Sequence, residues 1–152
     1  MAQAFVWGQD MAVAIAGMKA DATVDVVDSF AAETELNPGD AVIRGTDAGA
    51  QIKAAGTSGD GAKVIGIAVH THKGYDGTGA YYEQGYCVPV MTFGDVYVKV
   101  GGTVTAGSAV AITIADGGHT FTAAGEGAET ITGMTYLADG AEGDIVPVRI
   151  RK

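Results

Sequence analysis

Two histidines, His70 and His72, are spaced so that a β-strand would place both imidazoles on one face, where they could bind zinc. A zinc site needs three or four ligands. The only other histidine, His119, lies in a distant segment, so the ligand set is incomplete. We therefore interpret the pair as polar side chains at the end of a strand and predict no metal site.

Other stretches show only a superficial likeness to chemical motifs. Residues 139–144 are rich in Asp, Glu and Gly but lack the ligand spacing of a calcium loop. Residues 56–61 lack the Gly-Lys-Ser/Thr ending of a phosphate-binding loop. Cys87 has no histidine or basic neighbour in the sequence to activate its thiol, so we interpret it as a small buried residue. The sequence predicts a protein that is not an enzyme, with no catalytic residue and no cofactor.

The net charge argues against a nucleic-acid partner, and the lengths of the apolar runs argue against a membrane. The 152 residues carry a net charge of −9, with a pI of about 4.5. Such a surface repels phosphate backbones, so we expect no nucleic-acid partner. No apolar run approaches the length of a membrane span, and no basic region precedes the first apolar residues, so we expect no membrane segment and no signal peptide.

A set of three short sequence motifs occurs twice in the same order. In each copy a turn of the Pro-Gly-Asp or Ala-Gly-Ser type precedes an apolar segment with an internal glycine, and a Val-Pro-Val segment follows. Gly66 to Pro89 spans 23 positions, whereas Gly133 to Pro147 spans 14, so the first copy has nine additional residues, which we place in a loop within 72–83. The copies comprise residues 36–42, 64–67 and 88–90, and residues 104–110, 131–134 and 146–148.

The composition indicates β structure. Glycine accounts for 24 residues and leucine for only two, while Val, Ile, Thr and Tyr recur between turn signals. This pattern predicts about ten short strands, with turns every eight to twelve residues. Residues 86–91 and 96–100 are predicted to form a hairpin around a turn at 92–95. The predicted fold is all-β, a β-barrel or jelly-roll-like sandwich of short antiparallel strands with an extended N-terminal arm.

This fold divides into an arm, residues 1–22, and a single β domain, residues 23–152, whose similar halves are about 23–100 and 101–152. The arm is either a first core strand or an extension that buries apolar side chains against another subunit. Aromatic residues dominate interface energetics. We therefore select several apolar residues, located in the arm and in the loop, as candidates for contacts with a partner. They are Phe5, Trp7, Met11 and Met18 in the arm, and Tyr75, Tyr81 and Tyr82 in the loop.

The ordered series of motifs resembles the structural cement, or head decoration, proteins of tailed bacteriophages. The resemblance extends over about residues 17–151. Its motifs are residues 29–46, 64–68, 86–91, 94–98, 104–110 and 145–150.

That resemblance implies a β-barrel protein on the outer capsid surface of the virion, made in the cytoplasm of the bacterial host. It would bind the major capsid protein, link neighbouring subunits and form a homo-dimer or homo-trimer, and it brings no catalytic residue. An alternative from the residues themselves is a glycan- or host-surface-binding β module, in which Tyr75, Tyr81 and Tyr82 form a stacking platform.

Overall fold

The computed structural model describes residues 14–73 and 77–152. The fold is all-β, as predicted, and its only helical element in the described chain is a short 3₁₀ turn at Gly61–Lys63. The strands are β1 (Val26–Ala32), β2 (Ala41–Arg44), β3 (Gln51–Ala54), β4 (Gly66–Ala68), β5 (Cys87–Lys99), β6 (Ala109–Ala115), β7 (Gly118–Ala123), β8 (Glu129–Tyr136) and β9 (Ile145–Arg151).

The strands form one sheet in the order β1-β3-β2-β4-β5-β9-β8-β6-β7. Strand β1 also pairs with β5, so the first five strands close into a barrel. All pairs are antiparallel except β1 with β3. A parallel bridge between Val100 and Phe121 brings the end of β5 to β7, on the far side of the second group of strands.

Strand β5 is shared between the two groups of strands. Its first part pairs with β1 and β4, and its second part pairs with β9. The predicted hairpin around residues 92–95 is therefore wrong. The chain passes through Gly94, at φ +134°, with a register shift in the β1 ladder instead of a reversal. Because each part of β5 has its own partner strands, continuous extension satisfies more backbone groups than a turn would.

Both halves make the same backbone hydrogen bonds around their first turn. The Gly39 N–H donates to the Ala68 carbonyl, and the Gly107 N–H, 68 positions later, donates to the Tyr136 carbonyl, which is also 68 positions later. Both glycines have φ near +85°, as the third residue of a type II turn requires. The repeated turn chemistry in the sequence thus corresponds to a repeated local structure.

The extra loop of the first half can be delimited by the same comparison. Val69 and Leu137 donate to Pro89 and Pro147, respectively. Leu36 and Tyr82 exchange two backbone hydrogen bonds, as do Val104 and Gly140. Twelve residues separate Val69 from Tyr82, but only two separate Leu137 from Gly140, so the insertion is ten residues long and lies within residues 70–81.

Apolar side chains fill two clusters. One lies within the first barrel and includes Leu36, Ile52 and Tyr82, which are fully buried. The larger one fills the second group of strands and extends to the side of the first barrel that faces it, with members such as Ile67, Ile112 and Tyr136. The two halves therefore share a continuous apolar interface and are not two separately packed units.

Side chains of the second half, His119 and Glu129 among them, bind backbone groups of the first. The Ala41 N–H donates to His119 Nε2 at 2.9 Å, and His119 Nδ1 lies 2.8 Å from the Ala55 carbonyl oxygen. Since Nε2 accepts, the proton of the neutral ring is on Nδ1 and is donated to Ala55. The carboxylate of Glu129 accepts from the N–H groups of Gly59 and Gly61, each at 2.7 Å.

We expect the contribution of Glu129 to stability to disappear in acid. The hydrogen bonds from Gly59 and Gly61 lower the pKa of Glu129 below its ordinary value of 4.5. A carboxyl group with a depressed folded-state pKa stabilises the protein above its unfolded pKa and loses that effect as pH falls through the folded value. The difference in melting temperature between the wild type and Glu129→Gln should be largest at neutral pH and should shrink below about pH 4.5. A difference that stays constant from pH 7 to pH 3 would contradict this role.

Candidate interaction surfaces

Two of the predicted loop tyrosines lie inside the protein. Tyr82 has no exposed surface and Tyr81 is 8% exposed. The Tyr81 hydroxyl donates to the Thr71 carbonyl and the Tyr82 hydroxyl donates to the Val69 carbonyl. The predicted stacking platform is therefore wrong for these two residues, because both rings pack into the first barrel and their hydroxyl groups are satisfied there.

An exposed aromatic residue that the sequence analysis did not select lies next to them. Tyr86 is 42% exposed, and Lys73 Nζ lies 4.1 Å from the centroid of its ring. The same ammonium group lies 5.0 Å from the Tyr81 centroid and 5.6 Å from that of Tyr82. Cation–π contacts of this kind hold a lysine over aromatic faces. The position of Tyr86, directly before β5 and after a glycine turn, was the available signal.

The two spaced histidines belong to the same neighbourhood. The His70 ring lies 5.9 Å from the His72 ring and 5.1 Å from the Tyr81 ring, measured between centroids. Burial, together with the proximity of His72, lowers the pKa of His70, so this imidazole favours the neutral form. We call His70, His72, Lys73, Tyr81, Tyr82 and Tyr86 the loop-base cluster.

Within residues 14–73 and 77–152, no group of three or more His, Cys, Asp or Glu side chains is arranged to hold a metal ion. Cys87 is exposed at the start of β5, so its interpretation as a buried residue is wrong. The residue pairs with Ala31, and the strand begins there at the surface before it enters the core at Val88. None of the helical segments in the described chain has the length and apolar character needed to cross a membrane.

A second exposed apolar area lies at the beginning of β1. Val24, Val26 and Val27 are 80%, 46% and 40% exposed. By contrast, Phe30 on the same strand packs against the core of the first barrel. The physical reason is that β1 has β5 on one side and reaches β3 on the other only at Ala31 and Ala32. We call the three valines the β1 patch.

The described part of the N-terminal arm lies along the second part of β5. The Gly17 N–H donates to the Tyr97 carbonyl, the Tyr97 N–H donates to the Met18 carbonyl, and the Ala20 N–H donates to the Asp95 carbonyl. Met18 is half-buried in this segment. The other candidates Phe5, Trp7, Met11 and Tyr75 lie outside the described residues.

Comparison with protein-family models identifies the family of this chain. Residues 3–151 match the family described as structural cement protein (E217 gp24/Pam3 gp6). The chain belongs to the phage structural cement protein family. Membership makes it a structural protein of the phage capsid, consistent with the absence of catalytic chemistry in its sequence.

A solved capsid structure has the same fold. A chain from the capsid of Myoviridae phage XM1 aligns with a TM-score of 0.68 and 23% identity, covering 100% of this cement protein and 99% of that chain. The N-terminal base of the head fiber gp8.5 of bacteriophage phi29 aligns more distantly, with a TM-score of 0.46 and 14% identity over 84% of this chain and 95% of that one. Curated proteins gave no match.

Proposed function

We propose that this cement protein binds the outer surface of an assembled phage head and stabilises the shell by linking neighbouring major capsid subunits. The observation that carries the proposal is the family match over residues 3–151. The fold consists almost entirely of β-strands and their connections. A capsid chain of phage XM1 has the same fold along its whole length, which is compatible with this role. The protein would be made in the host cytoplasm and act as a homo-dimer or homo-trimer on the particle.

The energetics of such a function need no chemistry. A ligand that binds only the closed shell stabilises it by RT ln(1 + [L]/Kd) at each site, about 2.7 kcal/mol when its concentration is 100 times Kd. Many copies on one particle add these contributions. The net charge of −9 keeps a coat of such copies soluble and favours a basic partner surface.

We place the contacts with the shell at features found in only one half of the protein. The ten-residue insertion brings Lys73 over Tyr86, which leaves an aromatic ring and a cation together at the surface. Tyrosine side chains are enriched where interfaces derive most of their energy. The equivalent position in the second half is a two-residue connection without an aromatic side chain.

The direct test adds the purified protein to heads of its phage that lack it and measures the melting temperature of the shell by calorimetry. Wild type should raise that temperature on expanded heads, and Tyr86→Ala should raise it less than Tyr86→Phe, which keeps the ring. Equal binding to unexpanded precursors would restrict the proposal to general shell binding. No binding to any shell would reject it.

Removing the arm separates its binding role from its role in the fold. Deletion of residues 2–13 keeps the hydrogen bonds of Gly17, Met18 and Ala20 with β5, so the melting temperature of the free protein should stay close to that of the wild type. Affinity for the shell should fall at least about tenfold, equivalent to about 1.4 kcal/mol. Deletion of residues 2–18 also removes the hydrogen bonds of Gly17 and Met18 with Tyr97, each contributing about 1 kcal/mol, and should destabilise the free protein itself. Wild-type affinity after deletion of 2–13 would show that the arm does not contribute.

The alternative, a glycan-binding module, loses its structural basis for Tyr81 and Tyr82. Stacking on a sugar requires an exposed ring face, and these rings are buried. No specific observation in the described residues favours a sugar site, so we do not propose one.

A further inference from the structure

Strand β1 has one edge without a partner strand over most of its length. The Ala31 N–H donates to the Ala50 carbonyl, so the backbone groups of Ala31 point away from β5. The β1–β5 register is unbroken from Val27 to Ala31, and hydrogen-bonding directions alternate along a strand, so Val27 and Ser29 point the same way. Among the described residues, the N–H and C=O groups of Val27 and Ser29 have no hydrogen-bond partner.

The equivalent edge of the second half is covered. Residues 68 positions after Val27 and Ser29 are Asp95 and Tyr97, in the part of β5 that corresponds to β1. Their outward backbone groups bind Gly17, Met18 and Ala20 of the same chain, and Lys19 forms an antiparallel bridge with Val96. An extended segment thus completes the barrel edge in one half, and no equivalent segment among the described residues covers the other.

The order of the chain indicates where the missing segment comes from. The segment that covers the second half is the N-terminal extension of the first half, immediately before β1. Residues 17–20 already pair with β5 and so are not available to β1. If the edge of β1 is covered in the same way as the edge of β5, the segment that covers it is the N-terminal extension of a second copy.

Residues 4–7 have the chemistry that this edge requires. Ala4, Phe5, Val6 and Trp7 form a short apolar run with two aromatic residues and one β-branched residue, without proline. An exposed, unpaired edge pairs readily with such a segment, while main-chain hydrogen bonds provide affinity. The β1 patch would supply apolar surface for its side chains.

Charge favours the same segment. Asp28 is exposed on β1, and the whole protein carries a charge of −9, so most of the surface of a second copy would be repelled there. Residues 1–9 contain no charged side chain. They can approach Asp28 without like-charge repulsion.

We propose that residues 4–7 of a second copy add as a strand to the open edge of β1 at Val27 and Ser29, so that copies are joined by exchanged arms. By analogy with residues 17–20, about three main-chain hydrogen bonds would form at each junction. The proposal concerns contacts between copies and is independent of shell binding, so it can be tested on the free protein.

The first experiment removes the outward N–H of Ser29 without touching the β1–β5 ladder. Proline is tolerated on an edge strand where the N–H faces solvent. Ser29→Pro should weaken self-association, measured by sedimentation equilibrium of the full chain, about tenfold relative to Ser29→Ala, which keeps the N–H. If Ser29→Pro unfolds, Val27→Lys supplies the second test, because a charge on the edge opposes strand addition.

The second experiment identifies the occupant by cross-linking. In a Cys87→Ala background, one tagged chain carries Ser29→Cys and a second, differently tagged chain carries Val6→Cys. A short bismaleimide should join the two chains when they are mixed, and Val27→Lys on the first chain should abolish that product.

The remaining outcomes overturn the proposal. Cross-linking of positions 6 and 29 only within one chain carrying both cysteines would show that the arm covers its own β1. Protection of the cysteine at position 29 only after the protein binds heads would assign the edge to the coat subunit. Self-association unchanged in both Ser29→Pro and Val27→Lys would show that β1 does not join copies.

Discussion

Tyr82→Ala is expected to destabilise the protein by about 3–5 kcal/mol, the range for removing a large aromatic side chain from a core. The ring is fully buried with Leu36 and Ile52 in the first barrel. Its hydroxyl donates to the Val69 carbonyl at the start of the insertion, and burial raises the pKa of Tyr82, so the phenol stays protonated as a donor at neutral pH. Urea unfolding of the free protein measures the loss.

Tyr82→Phe is the matched control. It keeps the ring and removes only the hydrogen bond, so it should cost about 1–3 kcal/mol by leaving a buried carbonyl group without this donor. Tyr86→Ala, at an exposed ring, should change the free energy of unfolding much less than Tyr82→Ala. Equal and small effects for Tyr82→Ala and Tyr86→Ala would contradict the burial of Tyr82 and return it to the candidate contact residues.

Gly66→Ala is the second change with a large expected effect. A Cβ atom at Gly66 would lie 2.2 Å from the Met91 carbonyl oxygen and 2.8 Å from Val90 Cγ1. The nearest atom belongs to the backbone of β5, so the clash can be relieved only if β4 and β5 separate. Overpacking of a core usually costs about 1–3 kcal/mol, and a backbone clash belongs at the upper end of that range or above it.

Gly125→Ala provides the comparison for Gly66→Ala. No atom lies within 4 Å of a Cβ built at Gly125, and this glycine does not have a positive φ. Its free energy of unfolding should stay within about 0.5 kcal/mol of the wild type. Equal unfolding curves for the two variants would mean that β4 does not approach β5 as closely as described.

The glycine in the β4 segment shows how far local reasoning extends. A glycine inside a strand pattern indicates a bulge or a close approach of backbone. The close approach is confirmed, and its partner is β5. The identity of that partner was not accessible from the segment itself, because 24 residues separate Gly66 from Met91.

The loop-base cluster shows the limit more clearly. Tyrosines beside a polar, glycine-rich loop are typical of a surface platform, yet Tyr81 and Tyr82 are buried and Tyr86 is exposed. Which tyrosines face the core depends on how this segment pairs with the rest of the chain. That pairing is the bridge between Leu36 and Tyr82, across 46 positions of sequence.

By itself, the sequence determined the all-β class, the two glycine turns at Gly39 and Gly107 and the likeness to cement proteins. These depend on local backbone conformation and on residue types, which a short segment carries with it. The tertiary structure alone decided that β5 runs through both halves, that Cys87 is exposed and that most of one edge of β1 has no partner strand among the described residues. Each of these depends on which strands pair, and strand pairing is a choice between distant segments that no local pattern contains.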